Sequence, residues 1–296
     1  MRAAVVTAFG GPEAVEVVET EVPEPGAGQV RIKVAAAALN PVDAAVRSGV
    51  FGGAGERLGL GWDVAGTVDA VGAGAVWHVG DEVVALSHGA VKPLGAHAEY
   101  VVVPADAVAG APATADAVHA ATLPLNALTA AQALDLLGLE RGQSLLVTGA
   151  AGAVGGFAVQ LAVRAGLVVT ALAREEDEEL VRSLGAARFT SGAVEPGGVD
   201  GVLDAAVLGE AALGSVRDGG AYVGVIPQAA PSPVRGVRTT AVEVSADGAR
   251  LAELVRLADE GMLTLRVAET YALDDAAKAH ARLAEGGVRG RLVLIP

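Results

Sequence analysis

The stretch that most limits what this chain can fold into is Ser144–Gly156, SLLVTGAAGAVGG, which runs straight into FAVQLAVRAG. Leu145, Leu146 and Val147 form a short apolar run between Gly142 and Gly149, the pattern of a strand buried on both faces. From Ala153 onward Val154, Phe157, Ala158, Leu161 and Ala162 recur at helical spacing. Strand, glycine turn and helix in immediate succession predict a parallel α/β sheet, and that context turns a glycine pattern into a phosphate-site expectation. Gly149, Gly152 and Gly155 lie three residues apart, and Ala150-Ala151-Gly152-Ala153-Val154-Gly155 keeps the dinucleotide spacing. Gly152 lets backbone approach a pyrophosphate, and Gly155 lets the helix pack close on the strand. The helix start adds unpaired N–H groups and a partial positive charge, worth roughly 0.3–2 kcal/mol to an anion. Taken alone, the same pattern also fits a βα turn with no ligand.

With 296 residues, two domains are expected. Hydrophobic residues make up 52% of the chain but aromatics only 3%, so its core must be built from Ala, Val and Leu. A formal charge of −14 argues against nucleic acid and anionic membrane surfaces as partners. The absence of cysteine excludes disulfides, thiolate nucleophiles and cysteine zinc sites, and makes a reducing cytoplasm the expected compartment. The N-terminus reads directly into a strand without a signal-peptide pattern. Two long uncharged windows, 117–134 and 143–163, are interrupted by Pro124 and Asn126 or by glycines, so neither reads as a membrane span.

Residues 1–110 read as short strands separated by Gly/Pro turns, which predicts a barrel-like β domain. Near Ala111 the pattern changes. Helices are expected over 115–123 and 129–137, followed by β/α alternation from strand 145–148 to a last strand over 237–244. A helix over 249–260 is expected behind an Asp247 cap. The tail then reads as a strand at 263–267, a helix at 274–284 and a strand at 291–295. The expected division is 1–112, completed by 263–296, against 113–262.

Several motifs spread over almost the whole chain carry a resemblance. They are FGGPE (9–13), VRIKVAAAALNPVDAAVRSG (30–49), GWDVAGTVDAVGAG (61–74), VGDEVVAL (79–86), GAHAEYVVVP (95–104), LPLNALTA (123–130), the glycine turn and RGRLVLIP (289–296). Together they resemble the medium-chain dehydrogenase/reductase superfamily, within it the zinc-independent quinone oxidoreductase-like group. The implied fold is α/β: a GroES-like β-barrel catalytic domain with an inserted Rossmann domain, a doubly wound parallel sheet that binds a nucleotide. Zinc alcohol dehydrogenases of that superfamily carry a cysteine where this chain has Asn40 and a His-Glu pair where it has Trp62-Asp63. The five histidines (His78, His88, His97, His119, His280) are scattered without ligand spacing, so no metal is expected. Hydride delivery to an electron-poor alkene or quinone needs less help than oxidation of an unactivated alcohol, and a hydrogen bond worth ~2.7–4 kcal/mol suffices. The expected activity is therefore NADPH-dependent reduction of a quinone or an α,β-unsaturated carbonyl. The alternatives are a nucleotide-binding protein without turnover and an enoyl reductase acting on a carrier-bound thioester.

The nucleotide choice turns on the strand VVTALAR, which ends in Ala173 and Arg174 where an NAD-preferring site carries an acid. A carboxylate there would repel a 2′-phosphate, whereas Arg174 can pair with one bidentately, so NADPH is expected. Glu175–Glu179 reads as an ordinary solvated helix start. By the resemblance, Asn40 would lie near the nicotinamide or the substrate carbonyl, Asp43 would orient that loop, and Thr129 would contact the nicotinamide side. Gly149, Ala151, Gly152, Ala153, Val154 and Gly155 would hold the pyrophosphate. Ala205 and Ala206, with Ile226 and Pro227, would flank the cofactor at strand ends. Phe51 stands where relatives often have a tyrosine, which leaves the proton donor unassigned. The last strand, 237–244, would end the sheet as an exposed edge and predicts a homodimer.

Overall fold

The computed structural model describes all 296 residues. It divides into two compact units, one of residues 1–125, 245–261 and 265–296, the other of 126–244 and 262–264.

The first unit opens with β1 (Arg2–Val6), β2 (Glu16–Glu19), β3 (Gln29–Leu39), α1 (Pro41–Arg47), β4 (Leu58–Gly59), β5 (Asp63–Val71), β6 (Glu82–Leu86), β7 (Tyr100–Pro104), β8 (Val108–Gly110) and α2 (Ala117–Ala120). β3 is the spine. Along its first half Val30, Ile32 and Val34 alternate inward against Val64, Val68, Val83, Val101 and Val103. Register shifts at Arg31/Ile32 and Val34/Ala36 bend it, as bulges do. Its first half therefore pairs β7, and its last three residues pair the C-terminal strand. From Ala36 to Leu39 every side chain is buried, so β3 delivers Asn40 into the interior.

The second unit holds α3 (Pro124–Leu137) apart from its first two residues, β9 (Ser144–Thr148), α4 (Ala153–Arg164), β10 (Val168–Leu172), α5 (Glu178–Ser183), β11 (Arg188–Thr190), β12 (Val199–Asp204), α6 (Glu210–Leu213), β13 (Val216–Gly224) and β14 (Arg238–Ala241). Its six strands are all parallel in the order β11-β10-β9-β12-β13-β14. Numbered within the sheet this is 3-2-1-4-5-6, the doubly wound dinucleotide order. β11 and β12 are joined by residues 191–198 alone, with no crossover helix.

The chain then returns to the first unit through α7 (Gly248–Asp259), β15 (Val267–Ala272), α8 (Ala276–Glu285) and β16 (Arg291–Ile295). These finish a seven-stranded sheet ordered β15-β16-β3-β5-β6-β8, with β7 also on β3.

Four sequence expectations need correction. The helix expected over 129–137 starts at Pro124, because proline suits a first turn whose N–H is unused. The strand expected at 263–267 lies at Val267–Ala272, where it finds a parallel partner in β16. The last strand of the parallel sheet pairs over Arg238–Ala241 only. The boundary expectation of 113–262 fails at both ends, since 113–125 and 245–261 belong to the first unit. α7 packs so close to β8 that a Cβ on Gly248 would lie 2.5 Å from the Asp106 and Val108 carbonyls. Its partner Asp259 caps Thr114 at 3.0 Å. No helix is long and apolar enough to cross a membrane.

Candidate active site

In the second unit the candidate nucleotide residues gather on one edge, because a parallel sheet puts every strand's carboxyl end on the same side. Gly149–Gly152 follow β9, Ala173 and Arg174 follow β10, Ala205 and Ala206 follow β12, and Ile226 and Pro227 follow β13. Gly149 turns the chain with φ +59°, a left-handed conformation that favours glycine. Gly152 caps α4 without any side-chain cap, so Ala153, Val154 and Gly155 start the helix with N–H groups free of intrahelical partners. A Cβ on Gly155 would lie 2.2 Å from the Gly149 carbonyl oxygen, so only glycine lets α4 sit this close to the turn. A glycine turn at the start of a twelve-residue helix fits a dinucleotide pyrophosphate. Arg174 is exposed, and only a long 3.9 Å approach to the exposed Glu176 engages it, so its guanidinium is available for an anion.

A buried acid that the sequence did not single out braces this edge. The fully buried Asp204 takes the Thr148 hydroxyl at 2.5 Å, the Tyr222 hydroxyl at 2.7 Å and the Gly209 N–H at 2.8 Å. Thr148 Oγ1 in turn accepts from Ala206 N–H at 3.0 Å, tying the ends of β9, β12 and β13 together. Burial, then the bond to Asp204, pushes the Tyr222 hydroxyl far above the usual tyrosine range, so it stays a donor. The next residue but two, Val207, carries φ +57°, a costly conformation for a β-branched side chain.

In the first unit a different kind of site forms at the end of β3. Asn40 caps α1 in a reciprocal box with Asp43, whose Oδ2 accepts from Asn40 N–H at 2.8 Å and whose Oδ1 accepts from Gly61 N–H at 2.8 Å. The Asn40 amide donates to Asp63 Oδ2 at 2.6 Å and accepts from Arg291 Nη1 at 3.2 Å. The other Asp63 oxygen accepts from Leu125 N–H at 2.6 Å, in the first turn of α3. Asn40, Asp43 and Asp63 are all buried. Burial pushes the Asp63 carboxyl up to about 7, with the hydrogen bonds from Leu125 and Asn40 opposing it. The same desolvation brings the Arg291 guanidinium down to about 10.

Trp62 is buried beside this network. Its carbonyl accepts from Ser87 N–H at 2.6 Å, the His88 ring meets its edge at 5.3 Å, and Lys92 Nζ lies 5.1 Å from its ring centroid. Phe51 sits in an exposed turn, 44% accessible. Thr129 is buried on α3. Arg291 falls in the RGRLVLIP motif, whereas Lys92 and Ser87 carry none, and nothing in the sequence brings the three to this place. Deeper in the unit His280 Nδ1 lies 3.2 Å from Arg47 Nη1, and the His97 ring lies 6.4 Å from His280. Burial, with the charges of His97 and Arg47, brings His280 down to about 3.

No group of three or more His, Cys, Asp or Glu side chains is arranged to hold a metal ion. A zinc ion does not fit the residues present: Asn40 offers an amide committed to Asp63 and Arg291, and Trp62 offers no donor.

Comparison with known proteins gives two family matches. Residues 26–113 match the alcohol dehydrogenase GroES-like domain, and residues 176–294 match a zinc-binding dehydrogenase family. The chain is 39% identical over 259 residues to an NADPH-dependent alkenal/one oxidoreductase of Arabidopsis thaliana chloroplasts, covering 81% of this chain but 66% of that protein. It is 30% identical to a Pseudomonas aeruginosa quinone oxidoreductase over 98% of both chains. The quinone oxidoreductase of Coxiella burnetii superposes with a TM-score of 0.89 at 28% identity, covering 100% of this chain and 99% of the other. The chain belongs to the medium-chain dehydrogenase/reductase superfamily, with quinone oxidoreductase-like relatives, and has its α/β fold of GroES-like and Rossmann domains.

Proposed function

We propose that this chain is an NADPH-dependent reductase that delivers hydride to a quinone or to the C=C bond of an α,β-unsaturated carbonyl. The observation that carries this reading is the glycine cradle at the start of α4, together with Arg174 at the end of the adjacent strand. The kinship to alkenal/one and quinone oxidoreductases supports it. Bound NADPH supplies the hydride. Ala153 and Val154 offer backbone N–H groups to its pyrophosphate, with Gly149, Ala151, Gly152 and Gly155 shaping the turn around it. Arg174 pairs with the 2′-phosphate, an anion that NADH lacks. Ala173, Ala205, Ala206, Ile226 and Pro227 flank the nucleotide, and Thr129 faces its nicotinamide side.

The first unit holds a buried polar cluster of its own. Asp63 and Arg291 fix both ends of the Asn40 amide, so it cannot rotate without losing two hydrogen bonds. Asp43 holds the loop that carries it. A second copy of the chain pairs at the β14 edge to give a homodimer, a state that light scattering at micromolar concentration tests; a monomer there removes it. The cysteine-free composition fits a reducing, cytoplasmic setting.

Mixing the purified chain with NADPH or NADH and a panel of 1,4-benzoquinone, trans-2-hexenal and 3-methyl-3-penten-2-one tests the activity. Loss of reduced-nicotinamide absorbance, faster with NADPH, is expected. No loss with any acceptor overturns the reading.

A further inference from the structure

Strands β9 and β12 lie side by side and carry the same device at both ends. Ser144 and Thr148 open and close β9, and Asp200 and Asp204 stand at the same separation on β12, so each pair shares one face of its strand. At the amino end Ser144 Oγ donates to Asp200 Oδ2 at 2.7 Å. At the carboxyl end Thr148 Oγ1 donates to Asp204 Oδ1 at 2.5 Å. Each aspartate also accepts from a β13 side chain at 2.7 Å, Asp200 from Arg217 and Asp204 from Tyr222.

The two clamps differ in where their other bonds go. At the amino end they close on the strands themselves: Ser144 N–H donates to Asp200 Oδ2 at 2.8 Å, and Asp200 N–H donates to Ser144 Oγ at 3.0 Å. At the carboxyl end they leave the strands. Ala206 N–H donates to Thr148 Oγ1 at 3.0 Å, and Gly209 N–H donates to Asp204 Oδ2 at 2.8 Å. What the buried clamp adds is a hold on residues 205–209.

That loop needs holding. Val207 stands at φ +57°, a costly conformation for a β-branched residue, and both Val207 and Leu208 are exposed, so little packing keeps them there. The loop also lies flush against the glycine turn that follows Thr148. A Cβ on Gly149 would come 3.2 Å from the Ala206 nitrogen and 3.3 Å from the Ala206 Cβ. Backbone strain over-determined by its surroundings is a mark of a functional edge, where a fixed shape saves ordering cost on binding.

We propose that Thr148 and Asp204 are positioning residues of the nucleotide site, holding the 205–209 loop against the glycine turn in the shape that accepts a nicotinamide dinucleotide. The proposal rests on the nucleotide reading above. Both residues act through backbone, Thr148 on Ala206 and Asp204 on Gly209. A carboxylate only accepts, so it draws the Thr148 proton to itself and leaves the oxygen lone pairs for Ala206 N–H. Once released, the loop is competent for only part of the time, and the dissociation constant rises by the inverse of that fraction. The effect is blind to the 2′-phosphate, because β10, which leads to Arg174, lies on the opposite side of β9 from β12.

The test uses the full chain. Asp204→Ala would strand three donors in the interior and confuse folding with binding, so Thr148 is the cleaner handle. Thr148→Val keeps the shape and removes only the hydroxyl. By fluorescence titration it should weaken NADPH and NADH alike by about tenfold, the effect of one lost hydrogen bond. Thr148→Ser keeps the hydroxyl and should restore both affinities to within about twofold. Ser144→Ala is the matched control: it opens the amino-end clamp and should lower Tm, yet leave both affinities within about twofold, being remote from the loop. Amide hydrogen exchange read by NMR needs no nucleotide. In Thr148→Val the Ala206 N–H should exchange about tenfold faster or more, with the Leu146 amide at the centre of β9 unaltered. Unchanged affinity in Thr148→Val, no recovery in Thr148→Ser, or an equal loss in Ser144→Ala overturns the proposal. A wild type that binds neither nucleotide, yet shows the Ala206 change, places the failure in the nucleotide reading, and the positioning role falls with it.

Discussion

The two candidate sites, one in each unit, are built by opposite means. The nucleotide cradle in the second unit is almost all backbone: three glycines and small alanines, with one exposed arginine beside them. The cluster in the first unit is all side chain: an amide, two buried carboxylates and two cations desolvated among alanine and valine. The first is a shape, and it fails when an atom is added. The second is a network of charge, and it fails when an atom is taken away, because the remaining partners are left buried and unpaired.

Four substitutions probe that contrast. Asp63→Ala removes the acceptor for the Asn40 amide and Leu125 N–H and the charge beside Arg291, so it should cost about 3–5 kcal/mol in urea unfolding. A loss under 1 kcal/mol would mean that the network is idle. Gly155→Ala adds one carbon 2.2 Å from the Gly149 carbonyl and should cost about 2–3 kcal/mol, with NADPH binding weakened more than tenfold. Unaltered fluorescence titration would show that the turn has room to spare.

The histidines give the contrast a pH dependence. His280 is kept neutral in the folded chain, down to about pH 3, while the unfolded chain takes up a proton near 6.5. The unfolded state therefore binds more protons as pH falls, and stability drops by about 2 kcal/mol between pH 7 and pH 5 for this one group. His280→Gln should flatten that part of the Tm-against-pH curve, and an unchanged slope would refute the assignment. The smallest effect is expected at Arg174. Arg174→Ala should weaken NADPH by about tenfold, the ~1.5 kcal/mol of an exposed charged hydrogen bond, and leave NADH within twofold. Equal losses for both nucleotides would rule out the 2′-phosphate as its partner.

The same contrast explains what the sequence could show. A backbone cradle requires glycines at fixed spacing between an apolar run and a helical repeat, all within thirteen residues, so it is written locally. The charge network is assembled from Asn40, Asp63, Lys92 and Arg291, the last of them 251 positions from the first. Asp63 falls within a recognisable motif, but Lys92 in AVKPLG follows no period and announces no partner. Asp204 was hidden for a related reason. VDGVLD reads as a buried strand, and only the register of β9, β12 and β13 brings Thr148 and Tyr222 to its carboxylate. α7 belongs to the first unit for a reason its sequence does not carry: the sequence fixes a helix face, whereas what that face packs on depends on Gly248 meeting β8.

The eight residues that join β11 to β12 carry a mechanical consequence. They must pass three strand spacings, roughly 14 Å, and descend about a strand's length, ~17 Å, for a path of about 22 Å. Their reach when fully extended is about 30 Å, so most of the slack is already taken up. Where a helix would normally roof this face of the sheet, the strap sets down one side chain, Val194, against the core cluster that includes Leu146, Val199 and Val202. Such a tether tolerates lengthening far better than shortening: a few inserted residues would bow outward, whereas removing three would drag the outermost strand off its neighbour.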